Sequence, residues 1–192
     1  MTPIGSGISG DGGGWFETVA SRIAHAGHVT VRIDTVAAAD GTTVEREVAT
    51  PPNAVAIVAL FEGDVVLVRQ HRQPVGSTLL ELPAGVLDVP GEDVMTAAAR
   101  ELAEEVGLVA GTMTALTTIW SSPGWSAERV TIVLATDVRP CPPPPGFVPH
   151  AEEAAMEIVR LPLAATIEAV HDATITDAKT VVGVLLAAAR TA

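Results

Sequence analysis

Residues 85–108 read GVLDVPGEDVMTAAARELAEEVGL, and they contain the clearest helix signal in the chain. The predicted helix covers residues 93–106, and Gly107 follows it as a residue that favours helix termination. Apolar side chains form one stripe of this helix, and glutamates cluster on the opposite side. The stripe contains Met95, Ala98, Ala99, Leu102 and Val106, and the glutamates are Glu101, Glu104 and Glu105. The helix is therefore predicted to pack on a core and to expose an acidic face.

The three glutamates stand at i, i+3 and i+4, a spacing that places their carboxylates within a few ångströms of each other. Each pair of like charges costs roughly 0.2–0.5 kcal/mol. The glutamates also stand near the C-terminal end of the helix, where the helix dipole is unfavourable for anions. Arg100 can pair with Glu104, but a divalent cation would relieve the repulsion better, because hard cations prefer oxygen ligands. Taken alone, such a trio more often forms a solvated acidic face, so the surrounding residues decide between the two interpretations.

The surrounding residues resemble the Nudix box, in which glycine, glutamate and an arginine–glutamate pair recur at set intervals. The matching terms are Gly85, Glu92, Arg100-Glu101-Leu102, Glu104-Glu105 and Gly107-Leu108. Seven residues separate Glu92 from Arg100, as the pattern requires, whereas six rather than five separate Gly85 from Glu92. We expect the loop around Pro90 to absorb the extra residue without moving the helix.

Three flanking segments resemble the ADP-ribose pyrophosphatase branch of this family. They are VRQHR at 68–72, ELPAG at 81–85 and SSPGWSAE at 121–128. His71 stands where tyrosine is usual, and Pro123 lies 15 positions after Leu108, near the place where the branch carries a proline. The resemblance extends roughly over residues 16–189 and is strongest over 54–137.

The resemblance implies a metal site for Mg²⁺, with Mn²⁺ as an alternative. Its ligands would be Glu101, Glu104, Glu105 and the carbonyl of Ala84. Arg100 would orient a glutamate, and Glu92 would support the junction of loop and helix. The ions would bridge a diphosphate, withdraw its charge and activate a water molecule.

The resemblance also suggests substrate contacts. Arg72, and after it Arg69, could bind phosphate in a bidentate manner, although a surface ion pair is the alternative for each. The loop residues Pro123, Gly124 and Glu128 would lie over the substrate, with an ordinary turn between strands as the alternative.

Aromatic stacking and a general base are the remaining roles. Trp15 could stack on adenine, as could Phe16 or Trp125, and packing is the alternative for all three. Glu153 is the first candidate for the base and Glu152 the second, with solvated loop charges as the alternative. The base assignment is open because relatives often carry an aspartate where this chain has alanine at position 155.

The order of elements is rich in strands with a few helices, which indicates an α/β fold with a mixed sheet covered by helices. Strands are predicted at 28–36, 43–50, 54–61, 65–70, 79–82, 114–120, 129–137 and 156–161, and further helices at 163–171 and 179–189. The resemblance implies the Nudix fold, an α/β/α sandwich with an N-terminal β-hairpin region. Residues 1–14 are predicted to be a disordered tail and 15–192 one Nudix domain, whose strands within 28–50 could dimerise.

Composition limits the classes of binding partner and the cellular compartment that we expect. The 192 residues carry a formal charge of −12, which disfavours nucleic-acid backbones and anionic membranes. Apolar runs are too short to span a bilayer, and the single cysteine, Cys141, fits a reducing cytoplasm.

The predicted function is Mg²⁺-dependent hydrolysis of ADP-ribose to AMP and ribose 5-phosphate by a cytoplasmic homodimer. Other nucleotide sugars, such as ADP-glucose or GDP-mannose, are the alternative substrates, and a nucleoside triphosphate fits the flanking motifs less well. A module that binds ADP-ribose without cleaving it is the non-enzymatic alternative, although the box arginine and glutamates are all present.

Overall fold

The structure is a computed structural model that describes residues 16–142, 144–148 and 153–191. The chain divides into two compact units: Met1–Pro51 with Gly124–Ser126, and Pro52–Pro123 with Ala127–Ala192. The tail predicted for residues 1–14 lies outside the described residues. The single domain predicted over 15–192 stays a prediction.

The first unit contains a three-stranded antiparallel sheet in the order β1-β2-β3. Its strands are β1 (Phe16–Ala26), β2 (Thr30–Ala38) and β3 (Thr43–Thr50). The predicted hairpin corresponds to β2 and β3, whereas β1 was missed. All eleven residues of β1 are exposed, so the strand has no buried face to impose an alternating pattern on its sequence.

The second unit contains a mixed seven-stranded sheet. Its main path is β12-β5-β4-β10-β9, with β6 paired to β5 and β7 paired to β4, and only β4 and β10 run parallel. The strands of this sheet are β4 (Ala54–Phe61), β5 (Asp64–Arg72), β6 (Ser77–Glu81), β7 (Ala84–Val86), β9 (Thr112–Trp120), β10 (Arg129–Thr136) and β12 (Glu157–Pro162). Two short strands, β8 (Leu108–Val109) and β11 (Arg139–Pro140), pair in a separate two-stranded sheet. The helices are α1 (Val94–Val106), α2 (Leu163–His171) and α3 (Ala178–Thr191), and Glu153–Ala155 forms a single 3₁₀ turn.

Strand β4 is buried on both faces, as its unbroken apolar sequence predicts. Val55 and Ile57 belong to a core cluster that includes Leu102 of α1. Val58 belongs to a second cluster that includes Ala187 of α3. Helices thus cover both faces of the sheet, and the predicted mixed α/β sandwich is confirmed. Within the described residues, no helix combines the length and apolarity needed to cross a membrane.

Helix α1 begins and ends where its sequence predicts. The carboxylate of Asp93 accepts hydrogen bonds from the backbone N–H groups of Met95 and Thr96, at 2.9 and 3.1 Å. Gly107 ends the helix with φ of 63°, a conformation that glycine adopts at little cost.

The predicted faces of α1 need correction. Ala97 is buried and Ala99 is exposed, so the apolar stripe is rotated from the predicted one. Glu101 is also buried, with an exposed fraction of 9%. The acidic face is therefore partly covered, because Gly85 of β7 packs against Glu101.

Candidate active site

Arg100 holds three carboxylates around the middle of α1. Its Nε and Nη2 donate to the two oxygens of Glu92, both at 3.0 Å. Its Nη1 donates to Glu101 at 2.6 Å and to Glu104 at 2.9 Å. The pKa of Arg100 is raised, first by the hydrogen bonds to Glu92 and then, against the effect of burial, by those to Glu104 and Glu101. Arg100 thus supplies the positive charge that keeps two of the three helix glutamates close together.

Gly85 lies directly against Glu101. A Cβ atom built on Gly85 would come closer than 3.0 Å to the carboxyl carbon and to both oxygens of Glu101. The φ of Gly85 is not in the left-handed region, so glycine is required here for space rather than for backbone conformation. The carboxylate of Glu101 therefore packs directly against Gly85, the first glycine of the box.

Glu105 reaches the same segment one turn later. Its Oε2 accepts a hydrogen bond from the backbone N–H of Ala84 at 2.9 Å. Because β7 pairs with the buried strand β4, Ala84 and Gly85 are held firmly in place. Two of the predicted metal ligands thus converge on the segment of Ala84 and Gly85, which contains the predicted carbonyl ligand.

Within the described part of the chain, no three His, Cys, Asp or Glu side chains are arranged as a ready metal site. Carboxylates of Glu101 and Glu105 are nevertheless brought to one short segment, and carboxylate oxygens are ligands that Mg²⁺ and Mn²⁺ prefer. The group therefore fits a divalent cation in its chemistry. The assignment of Ala84, Glu101, Glu104 and Glu105 as ligands stays a prediction.

A cavity of about 390 Å³ opens beside this segment within the second unit. Its walls include Ala84 and Gly85 of β7, Arg72 at the end of β5 and Glu128 just before β10. Such a volume lies within the range of small-molecule sites.

The family assignment rests on most of the second unit. The model of the NUDIX domain matches residues 50–179, about two thirds of the chain. The chain belongs to the Nudix family.

Two relatives and one solved structure extend this assignment. The chain is 41% identical to an ADP-ribose pyrophosphatase of Mycobacterium tuberculosis, over 88% of this chain and 82% of the relative. It is 32% identical to a methanol dehydrogenase activator of Bacillus methanolicus, over 81% and 83% of the two chains. A crystal structure of an ADP compounds hydrolase has a TM-score of 0.78 and 27% identity, with 91% of this chain and 93% of that chain covered.

The second arginine of the VRQHR segment lies in the wall of the Nudix cavity. Arg72 forms a bidentate ion pair with Glu81, with Nε and Nη2 each 2.7 Å from a carboxylate oxygen. Hydrogen bonds to Glu81 raise the pKa of Arg72 despite burial, and the charges of Asp177 and Glu105 add to the effect. The guanidinium of Arg72 is thus close enough to interact electrostatically with Glu105, a predicted metal ligand.

Arg69 is placed differently from Arg72. It forms an ion pair with Glu157 of β12 at 3.2 Å, is about half exposed, and does not line the cavity. Arg69 therefore forms a surface ion pair, which was the alternative to phosphate binding that its sequence left open.

The predicted loop residues differ in their position relative to the cavity. Glu128 lines the cavity, whereas Pro123 and Gly124 are exposed and do not line it. Within the first unit, the carbonyl of Trp125 accepts a hydrogen bond from Ala49 N–H at 2.8 Å, and the Trp125 side chain is 59% exposed. Their roles toward a substrate stay predictions.

The remaining candidates are one aromatic residue and two glutamates. Trp15 and Glu152 lie outside the described residues, and for Glu153 only the backbone is described, at the start of the 3₁₀ turn. The assignment of the general base stays a prediction.

Sequence analysis missed two residues that line the cavity, Asp177 and Lys179. They stand at the start of α3, far along the chain from the box. One signal was available: Lys179 is the only lysine among the 192 residues. A lone lysine in a chain with ten arginines is unusual, and its place within a polar DAKT segment marks a helix start.

Proposed function

We propose that this Nudix hydrolase splits the diphosphate of ADP-ribose with water, releasing AMP and ribose 5-phosphate. The observation that carries the proposal is the convergence of Glu101 and Glu105 on the segment of Ala84 and Gly85, which also forms a wall of the cavity. The name of the M. tuberculosis relative supports ADP-ribose as the substrate. The alternatives are other nucleotide sugars, such as ADP-glucose or GDP-mannose.

In this proposal Mg²⁺, or Mn²⁺ in its place, is held by Glu101, Glu104, Glu105 and the carbonyl of Ala84. When bound, the metal supplies Lewis acidity toward the diphosphate and lowers the pKa of a water molecule. Arg100 keeps the glutamates together, and it would share Glu101 and Glu104 with the incoming cation.

Two further groups act on the substrate in this proposal. Arg72 donates hydrogen bonds to a phosphate oxygen from the cavity wall. Glu153, or Glu152 as the second candidate, accepts the proton of the attacking water from the segment before β12.

We further propose a cytoplasmic homodimer that associates through its N-terminal sheet. Strand β1 is exposed along its whole length, and Phe16, Val19 and Ile23 are each more than half exposed. Long exposed edge strands with apolar side chains are pairing surfaces. The mass of the protein in solution decides this point, while the cytoplasmic location rests on the single cysteine.

The decisive experiment is a substrate panel with Mg²⁺ that contains ADP-ribose, ADP-glucose, GDP-mannose and nucleoside triphosphates. We expect the highest kcat/KM with ADP-ribose, measured by release of AMP. If ADP-ribose binds without hydrolysis, the chain is a sensor rather than an enzyme for that compound. If another nucleotide sugar is cleaved faster, the substrate assignment is wrong.

The variant Glu105→Gln tests the metal assignment in the same assay. We expect kcat to fall by about 10²-fold or more, because the isosteric amide cannot supply the charge that a divalent cation requires. Glu168→Gln on α2 is the matched control, since Glu168 is exposed and lies away from the cavity. Near-normal turnover in Glu105→Gln would remove Glu105 from the ligand set.

A further inference from the structure

A cluster of four charged residues lies at the cavity wall; Arg72, Asp177 and Lys179 line the cavity, and Glu81 lies behind them. Glu81 is its centre and is only 1% exposed. Arg72 binds both oxygens of Glu81, and the ammonium of Lys179 also donates to Oε2 of Glu81. Lys179 in turn donates to Asp177 at 3.0 Å. The charges balance, with two cations and two anions.

The cluster joins distant parts of the chain. Glu81 ends β6, directly before the segment of Ala84 and Gly85, whereas Lys179 lies in the first turn of α3. Thr180 beside it accepts a hydrogen bond from the backbone N–H of Leu82 at 2.9 Å. Helix α3 is therefore fixed to the strand that leads into the predicted metal site.

Stability alone does not account for such a cluster. Burying charges costs several kcal/mol of desolvation per ion, and apolar side chains of similar volume often stabilise a fold equally well. Burial raises the pKa of Glu81, but hydrogen bonds from Arg72 and the charge of Lys179 outweigh it, so the pKa lies below its ordinary value. Glu81 therefore remains a carboxylate, which fixes the direction of both cations.

We propose that Lys179 and Glu81 are positioning residues that hold the guanidinium of Arg72 in place as the phosphate-binding group of the cavity. With Nε–H and one N–H of Nη2 of Arg72 engaged by Glu81, the two N–H groups of Nη1 and the second of Nη2 are left to reach a ligand. Lys179 is itself held by Asp177, which lines the same cavity. The inference rests on the proposed cleavage of a diphosphate.

The test is a double-mutant cycle of Arg72→Met and Lys179→Met in the Mg²⁺ assay with ADP-ribose. We expect Lys179→Met to raise KM about tenfold, which corresponds to ~1.4 kcal/mol of binding, with kcat changed less than about threefold. In the Arg72→Met background, loss of Lys179 should have little further effect on KM, because a positioning residue acts only through the group that it positions.

Two controls separate positioning from general effects. Lys179→Arg keeps the charge and should restore KM to within about threefold of the wild type. Arg160→Met removes one surface cation that is paired with Glu62 and Asp64, and it should leave KM unchanged. If Lys179→Met does not fold, Lys179→Gln replaces it, since a polar amide is tolerated beside Asp177 while the positive charge that pairs with Glu81 is lost.

Several outcomes would overturn the proposal. The first is that Arg72→Met and Lys179→Met raise KM by factors that multiply in the double variant. The second is that Lys179→Met lowers kcat while KM stays constant. The third is that Arg160→Met raises KM as much as Lys179→Met does. If the wild type cleaves another nucleotide sugar in place of ADP-ribose, the substrate assignment fails by itself. The cycle is then measured with that compound, and the same outcomes decide about Lys179.

Discussion

Replacement of Gly85 by alanine tests the central feature of the site, the packing of a glutamate on a glycine. The added Cβ would lie closer than 3.0 Å to three carboxyl atoms of Glu101, whereas ordinary van der Waals contact begins at 3.4 Å. The carboxylate must therefore move by on the order of 1 Å, and it cannot move far, because it is buried and bonded to Arg100.

The displacement should cost activity more than stability. Overpacking of this kind costs about 1–3 kcal/mol, which lowers Tm by roughly 2–4 °C for each kcal/mol in a chain of this size. Misplacement of a catalytic group by about 1 Å can lower the rate about 10²-fold. We therefore expect Gly85→Ala to fold, to lose about 10²-fold in kcat/KM and to need more Mg²⁺ for half-maximal activity.

Gly183→Ala in α3 is the matched control, because its Cβ would meet Leu82 Cδ1 at 2.7 Å and Val58 Cγ2 at 2.9 Å but no carboxylate. It should lower Tm while kcat/KM stays within about threefold. A second check combines Gly85→Ala with Glu101→Gln, and the pair should be no worse than Glu101→Gln alone. Wild-type activity and Mg²⁺ dependence in Gly85→Ala would refute the reasoning.

Two further predictions concern stability. Since the pKa of Glu81 is lowered in the folded state, its contribution to stability is present above its ordinary pKa of 4.5 and is lost as pH falls through the folded value. Tm measured from about pH 5 to pH 3 should therefore fall less steeply in Glu81→Gln than in the wild type, and equal slopes would contradict this. Asp93→Ala removes the helix cap of Met95 and Thr96 and should lower Tm by roughly 2–4 °C without changing kcat; an unchanged Tm would show that the cap contributes little.

Local interactions made α1 and its surroundings readable from the sequence. The cap at Asp93, the end at Gly107 and the pair of Arg100 with Glu104 each involve residues within one turn of each other. The unbroken apolar run of β4 likewise predicts a strand buried on both faces, because only a covered strand can carry it. The mixed α/β class followed from these elements.

Features that depend on what lies across the fold were not readable. The burial of Glu101 comes from the packing of Gly85, sixteen positions earlier, and not from the pattern of the helix itself. Strand β1 escaped notice because an exposed strand has no periodic apolar face. The two arginines of VRQHR look equivalent in sequence, yet Arg72 lines the cavity and Arg69 pairs with Glu157.

The sequence by itself determined the helix, the spacing of its glutamates and the family resemblance, because these depend on neighbours along the chain. Only the tertiary structure decided which charges meet. Glu81 and Lys179 are separated by 98 positions, and their ion pair exists because α3 packs on the sheet beside the end of β6. Contacts of this kind depend on strand order and helix placement, which the local pattern of either segment does not contain.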